Sequence, residues 1–355
     1  MTHRKPSVML IVISLLSIFI SSGLCQNVGP AATEKALKSG LELKVMTFNI
    51  RYGTADDGEN RWENRRQMVI NVLHDNKPDV VGLQEALDFQ ISQVRQGLAE
   101  YGQIGVARDD GKTKGEYCAI LYRQDRLEVN ESGTFWFSDT PDVPGSSHWG
   151  NANVRICTWA RFVEKKSGRA FYLYNLHLDH ASQVSREKSV VLLSRRIRDR
   201  KHPDAFVVTG DFNSGESNPA ILYLKGKTAF GKGADKAENL FPLVDSFRIL
   251  YPDANDVGTF NEFAGHRKGE KIDYIFTAAD VQVVETQIIH AESNGRYPSD
   301  HFPVTALLHL PAAPKLKTNR GESFDYAPHF ALSGRASQGK QDRRREHRVR
   351  FSIWI

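Results

Sequence analysis

Cysteine is scarce: the 355-residue chain holds three, Cys25, Cys118 and Cys157. Three scattered thiols exclude a zinc ribbon and a disulfide-framed miniprotein. Long apolar runs are missing too, and the one from Val8 to Ile20 falls short of the roughly 20 residues that span a bilayer. No fixed-period repeat is present, which sets aside a repeat array. What remains is ordinary globular composition, with 40% hydrophobic and 25% charged residues. Neither a disordered nor a multi-span membrane protein fits, and the length suits one large domain or two ordinary ones.

The chain has a formal net charge of +5, but its location matters more than its size. Residues 1–25 contribute +2 and residues 312–355 contribute +6, so the 286 residues between them carry −3. The excess of basic residues therefore says nothing about a basic active-site surface.

His3-Arg4-Lys5, the apolar run to Ile20 and Ser21-Ser22-Gly23-Leu24-Cys25 follow the order of a secretory signal. Residues 1–25 are read as that signal, and the protein as secreted or periplasmic. A retained signal anchor is the alternative; a lipid anchor is weaker, because Leu24 stands where a small residue is wanted. Residues 26–41 read as a polar linker, 42–311 as the folded domain, and 312–355 as a basic disordered tail. Within the domain, strand-like runs recur at Leu43–Phe48, Val80–Leu83, Tyr117–Tyr122, Ile156–Phe162, Phe171–Leu176, Phe206–Thr209, Ile272–Phe276 and Val304–Leu310. Helical spacing appears over Trp62–His74 and Ser185–Arg200, so a layered α/β domain is expected. Residues 133–153, rich in Gly and Pro and holding Trp136 and Trp149, read as a long irregular loop. Cys118 and Cys157 lie in strand-like runs, and pairing or two lone buried thiols both remain open.

Polar residues cluster at the ends of these runs: Asn49, Glu85, His177, Asp211 with Asn213, and Asp300 with His301. Strand ends are where distant segments of an α/β sheet converge on one crevice. Glu85 closes the apolar run Val80-Val81-Gly82-Leu83-Gln84, and a carboxylate there needs a cation or several donors to offset its desolvation. Hard oxygen ligands without cysteine suit Mg²⁺ or Mn²⁺, with Ca²⁺ as an outside choice.

In order along the chain stand Thr47-Phe48-Asn49-Ile50-Arg51, Gly82-Leu83-Gln84-Glu85, Asn175-Leu176-His177-Leu178, Gly210-Asp211-Phe212-Asn213, Ile272-Asp273-Tyr274 and Ser299-Asp300-His301-Phe302-Pro303-Val304. Together they resemble the signatures of the endonuclease/exonuclease/phosphatase superfamily of deoxyribonuclease-like metal-dependent phosphoesterases. The resemblance runs from about Leu43 to Leu310. It implies a four-layer sandwich of two central mixed β-sheets flanked by helices, and divalent-metal-dependent hydrolysis of a phosphodiester or phosphomonoester. It also implies roles: Glu85, Asn49 and Asp300 on the metal side, with Asn49 either a ligand or the group that orients Asp211. Asp211 would orient or deprotonate water, Asn213 would donate to a phosphoryl oxygen, and His177 would contact the phosphate or leaving group. His301 would bind phosphate or act as acid–base with Asp273 fixing its tautomer, and Arg155 and Arg51 would bind phosphate. Arg51 stands where the abasic-site branch has an aspartate, and no tyrosine aligns with that branch's phosphate-binding tyrosine, so DNA repair is disfavoured.

Each residue alone has a plainer reading as a turn former, cap or core histidine. Six matches in order are not explained by independent turns. Nucleic acid, phospholipid headgroups and sugar phosphates all remain as substrate classes, and no obligate protein partner is implied, so a monomer is expected. A non-catalytic scaffold retaining the fold is the competing reading; such a protein would be expected to lose Glu85 or the Asp300-His301 pair, both of which are present. Asp179 and His180 are read as either loop residues or substrate contacts, Arg186 as either a helix-surface charge or a substrate contact, and Trp62 and Trp159 as packing.

Overall fold

A computed structural model describes residues 40–232 and 236–311. The signal-like segment, most of the linker and the basic tail lie outside the described residues. All described residues belong to one compact unit.

The described chain forms two six-stranded sheets. The first takes β1 (Leu41–Asn49), β2 (Val80–Gln84), β3 (Tyr101–Ile104), β4 (Ile120–Arg123), β11 (Gln282–Ile288) and β12 (Val304–Leu310) in the order β11-β12-β1-β2-β4-β3. The second takes β5 (Leu127–Trp136), β6 (Ile156–Glu164), β7 (Ala170–His177), β8 (Ala205–Asp211), β9 (Val244–Asp245) and β10 (Asp273–Thr277) in the order β5-β6-β7-β8-β10-β9. Each sheet is mixed, with one parallel pair at its centre, β1 with β2 and β7 with β8, and antiparallel neighbours around it. Each parallel pair is joined through a helix, α1 (Trp62–Asn76) or α3 (Gln183–Arg198), because parallel neighbours need a crossover.

Side-chain alternation assigns the layers. Leu43 and Val45 of β1 face Leu173 and Val207 of the second sheet across a central apolar layer. Met46, Phe48, Val81 and Leu83 point the other way, onto α1 and α2 (Asp88–Gly97). Tyr172, Tyr174, Phe206 and Val208 face α3 and α4 (Pro219–Leu224). The architecture is the expected helix–sheet–sheet–helix sandwich. α1 starts at Trp62 and ends at Asn76, capped by Lys77, which adopts a left-handed conformation just before Pro78. α3 starts under Ser182, whose hydroxyl accepts the Ser185 amide at 3.1 Å.

Some boundaries differ from the sequence reading. β1 begins at Leu41, inside the expected linker. Tyr117 makes isolated bridges to Ala86 and Ala107, and the regular strand starts at Ile120. Residues 133–136 belong to β5 rather than to the loop. β5 is an edge strand whose middle reads Glu-Val-Asn-Glu-Ser, so it lacks the apolar signal of a buried strand. β11, also an edge strand, escaped for the same reason. Cys118 and Cys157 are free, buried thiols.

Candidate active site

Continuing the inward-facing positions along the central layer leads from apolar to polar to charged. β1 runs Leu43, Val45, Thr47, Asn49; β7 runs Phe171, Leu173, Asn175, His177; β8 runs Ala205, Val207, Thr209, Asp211. Strand register then aligns the charged ends. His177 pairs with Asp211 across β7–β8, and Asp211 pairs with Asp273 across β8–β10. Asn49 pairs with Gln84 across β1–β2, placing Glu85 next to it.

Beneath this end lies a buried polar seam between the sheets. Gln84 Nε2 donates to Asn175 Oδ1 at 2.7 Å and to Thr47 Oγ1 at 3.1 Å. Asn175 Nδ2 donates across to the Leu83 and Ala119 carbonyls at 2.9 Å each, while Thr209 Oγ1 reaches Asn175 Oδ1 at 3.1 Å. Gly82 is required here, since a Cβ would overlap Asn175 Oδ1.

Asp211 Oδ2 is the point on which the site converges. Asn49 Nδ2 donates to it at 3.0 Å and to Glu85 Oε1 at 3.0 Å. His177 Nε2 lies 3.4 Å from the same oxygen, and His301 Nε2 lies 3.8 Å away. The other ring nitrogen of His301, Nδ1, is 2.9 Å from Asp273 Oδ2. Burial pushes the Asp211 carboxyl up to about 7, with Asp273 adding to the rise. For His301, burial works downward, but Asp273, Asp211 and Asp300 outweigh it and hold the imidazolium well above its ordinary range. Burial, with Arg155 and Arg108 close by, drives His177 well below its usual value, so it is neutral. The two imidazoles that approach Asp211 Oδ2 are thus driven in opposite directions.

Asn213 uses both hydrogens of its amide internally, toward His177 Nε2 and the Leu178 carbonyl at 2.9 Å each. Glu85 also accepts the Tyr52 amide on Oε2 at 3.1 Å. Asp300 lies 3.8 Å from Arg51 Nε, and burial, with Glu85 adding, raises its pKa. Arg51 is committed to Asp57 through Nε at 3.1 Å and a terminal nitrogen at 2.9 Å. Arg155 Nε is 3.5 Å from Asp179 and its terminal nitrogen is 3.1 Å from His180 Nδ1. Arg51, Glu85 and Asn213 all have positive φ, at 56°, 58° and 46°. For an arginine and a glutamate this backbone is costly, and such strain concentrates at functional sites.

A cavity of about 430 Å³ opens onto this group. It is lined by Glu85, His177, Asp211, Asn213, Asp300 and His301, with both Arg51 and Arg155 in its wall. Asn49 and Asp273 stand behind them as buried partners. All ten residues singled out in the sequence are therefore brought to one end of the sandwich. A larger cavity of about 610 Å³, beside Trp149 and α3, lies apart from this cluster.

His180, weighed in the sequence as loop or substrate contact, also lies in the wall, together with Tyr52, Glu116, Asn153 and Phe260, which the sequence did not mark. The Phe260 ring lies 5.1 Å from the His301 ring. Two supporting residues also emerge. Buried Arg65 donates to the Ile50, Arg51 and Pro298 carbonyls, tying the Asn49 and Asp300 loops together, and burial lowers its pKa to about 10. Buried Asp179 accepts four backbone amides, from Ala152, Asn153, Ala181 and Ser182. Arg186 donates to the Asp179 and His180 carbonyls, and the Trp136 indole is buried on the Arg108 carbonyl.

Glu85, His177 and Asp211 place candidate ligand atoms within 4.8 Å of one another, as do Asp211, Asp273 and His301. The donor set is mostly carboxylate oxygen, and Asp273 Oδ1 is buried without a hydrogen-bond partner. Such a crowd of carboxylates, two of them raised in pKa, fits a hard divalent cation.

Comparison with known proteins agrees with this geometry. The structure resembles an endonuclease/exonuclease/phosphatase of Bacteroides vulgatus, 37% identical, covering 76% of this chain and 99% of that one with a TM-score of 0.68. It also resembles a mannosyl-6-phosphatase of Bacteroides thetaiotaomicron, 32% identical, covering 75% of this chain and 99% of that one with a TM-score of 0.65. Nocturnin of Drosophila melanogaster is 25% identical over 315 residues, 82% of this chain and 46% of that protein. Residues 46–301, spanning the candidate site residues from Asn49 to His301, match the model of the Endonuclease/Exonuclease/phosphatase family, and to that family the chain belongs.

Proposed function

We propose that the protein is a divalent-metal-dependent phosphoester hydrolase in which water attacks phosphorus in line with the leaving alcohol. The observation that carries this reading is the convergence of Asn49, His177 and His301 on Asp211 Oδ2 beside Glu85. Glu85, with Asp300 beside it, would hold Mg²⁺ or Mn²⁺, which when bound supplies charge neutralisation at the phosphoryl and leaving oxygens, while Asn49, its Oδ1 taken by the Arg51 amide and its Nδ2 by Glu85 and Asp211, takes the orienting one of its two roles. Ca²⁺ is the outside choice.

The remaining chemistry belongs to the side chains. Asp211 orients the attacking water and takes its proton; Asn49 keeps that carboxylate aimed. Protonated His301 presents Nε2–H to a phosphoryl oxygen while Asp273 holds Nδ1–H, which fixes the ring and sustains its charge. Neutral His177, positioned by Asn213, stands beside the same carboxylate without adding charge. Asn213 can donate to a phosphoryl oxygen only by giving up one of its two internal bonds. Arg155, aligned by Asp179, supplies fixed positive charge to the phosphate. One P–O bond forms from water and one breaks, giving an alcohol and phosphate, or a phosphomonoester from a diester.

Among substrates, a phosphomonoester of a sugar is favoured. The likeness to a mannosyl-6-phosphatase supports it, as does the −3 charge of residues 26–311, since polynucleotide binding rests on neutralising a row of phosphates. Nuclease activity is the second reading, supported by Asn49-Ile50-Arg51 and the likeness to Nocturnin. Export through residues 1–25 is part of the proposal and rests on the order of basic, apolar and small residues there.

Hydrolysis of p-nitrophenyl phosphate and bis-p-nitrophenyl phosphate with Mg²⁺ tests the assignment. Wild type should be active, and Asp211→Ala or added EDTA should abolish turnover. Equal rates in all three samples would favour the scaffold reading.

A further inference from the structure

One side of the cavity wall takes no part in the chemistry derived above, and its donors and acceptors are complementary to an alcohol bearing several hydroxyls. We propose that Glu116, Asn153 and His180 read the hydroxyl groups of the leaving alcohol and so set substrate specificity; this rests on the hydrolase reading. All three line the cavity that holds Glu85, Asp211 and His301.

Their hydrogen-bonding states follow from their neighbours. Arg108 grips Glu116 through Oε2, fixing this partly buried carboxylate as an acceptor at the cavity wall. Asn153 is held by its backbone amide on Asp179, and its Oδ1 faces Arg108 at 3.5 Å, which leaves the Nδ2 hydrogens as donors. Arg155 donates to His180 Nδ1 at 3.1 Å, so that nitrogen is an acceptor and Nε2–H is left as a donor. Glu116 as acceptor, with Asn153 and His180 as donors in the same cavity, matches hydroxyls, each of which donates once and accepts.

The same wall disfavours a polyanion. Glu116 adds a fourth carboxylate to Glu85, Asp211 and Asp300 around the cavity. The two arginines of the lining are already paired, Arg51 with Asp57 and Arg155 with Asp179. A second phosphate entering beside Glu116 would meet repulsion, whereas a neutral sugar would not. The cavity volume, about 430 Å³, lies within the roughly 300–1,000 Å³ of small-molecule sites.

The experiment compares kcat/KM for D-mannose 6-phosphate, p-nitrophenyl phosphate and a single-stranded oligoribonucleotide in wild type, Glu116→Gln and His180→Ala. His180 is exposed, so its variant guards against loss of fold at the buried Arg108–Glu116 pair. The readout is the ratio of mannose 6-phosphate to p-nitrophenyl phosphate, which divides out damage common to both. In Glu116→Gln this ratio should fall about ten- to a hundredfold, the range for a lost hydrogen bond to a charged group. In His180→Ala it should fall about three- to tenfold, as for a neutral bond. Unchanged ratios in both variants would overturn the proposal. So would wild-type cleavage of the oligoribonucleotide with none of mannose 6-phosphate, and that result would leave the hydrolase reading intact. No turnover of any phosphoester would instead bring down the hydrolase reading itself.

Discussion

Truncating Asn175 to alanine should destabilise the protein by about 2–6 kcal/mol, because the side chain makes four buried hydrogen bonds worth about 0.5–1.5 kcal/mol each. Two of these bonds cross directly from β7 to the Leu83 and Ala119 carbonyls of the opposite sheet, and a third receives Gln84 from that sheet. The loss is therefore concentrated where the sheets are joined by polar contacts, immediately below His177 and Asp211. Thr209→Val, which removes the 3.1 Å bond to Asn175 and the long one to the Tyr174 carbonyl, should cost only about 1 kcal/mol. Urea unfolding followed by tryptophan fluorescence and circular dichroism measures both. If Asn175→Ala costs less than the Thr209 variant, the seam does not carry the join between the sheets and the reasoning is refuted.

Three further outcomes are expected. Asp273→Asn should lower kcat by about 10²–10⁴-fold, the usual span for a positioned acid–base group, since it removes the partner that fixes His301 and sustains its charge; steady-state kinetics with stability checked in parallel decides it, and a change below threefold would contradict the assigned role. Asp179 should contribute acid-sensitive stability. Burial works to raise its pKa, but the Ser182 and Asn153 amides and Arg155 outweigh burial and hold it below the ordinary carboxylate range. A depressed folded pKa gives stability that is full above about pH 4 and is lost as pH falls through the folded value. The stability gap between wild type and Asp179→Asn in urea titrations should thus be widest near pH 7 and shrink below pH 4; a gap independent of pH would count against it. Arg65→Met should reduce activity more than stability, because its donors span the loops carrying Asn49 and Asp300; comparing kcat with the unfolding midpoint tests this, and an unfolded variant or an unaffected kcat would go against it.

Much of the fold was legible because buried strands announce themselves. Val80–Leu83, Phe171–Leu176 and Phe206–Thr209 are buried on both faces and mostly apolar, as central strands of a doubly covered sheet must be. β3, β5, β9 and β11, the edge strands of the two sheets, were missed because they are short or carry polar residues that look like loop. Seven of the site residues, Asn49, Glu85, His177, Asp211, Asn213, Asp300 and His301, were legible because polar strand ends mark where the strands converge, whereas Asp273, Arg51 and Arg155 were legible only through the resemblance to the family. Glu116, Phe260 and Arg65 left no such mark. Phe260 reaches the site through a single bridge to His301, and Arg65 lies within a helical pattern where an arginine normally faces water. Asp179 sits two residues beyond His177, in phase with it, and that spacing was the one available signal.

The account stands most directly on where a divalent cation binds. Anomalous scattering from crystals soaked in Mn²⁺ should give its strongest peak against the Glu85 carboxylate, in the cavity shared by Asp211, Asp300 and His301, and Glu85→Gln should weaken or remove that peak. A peak elsewhere on the molecule, with hydrolysis surviving EDTA, would contradict the central claim.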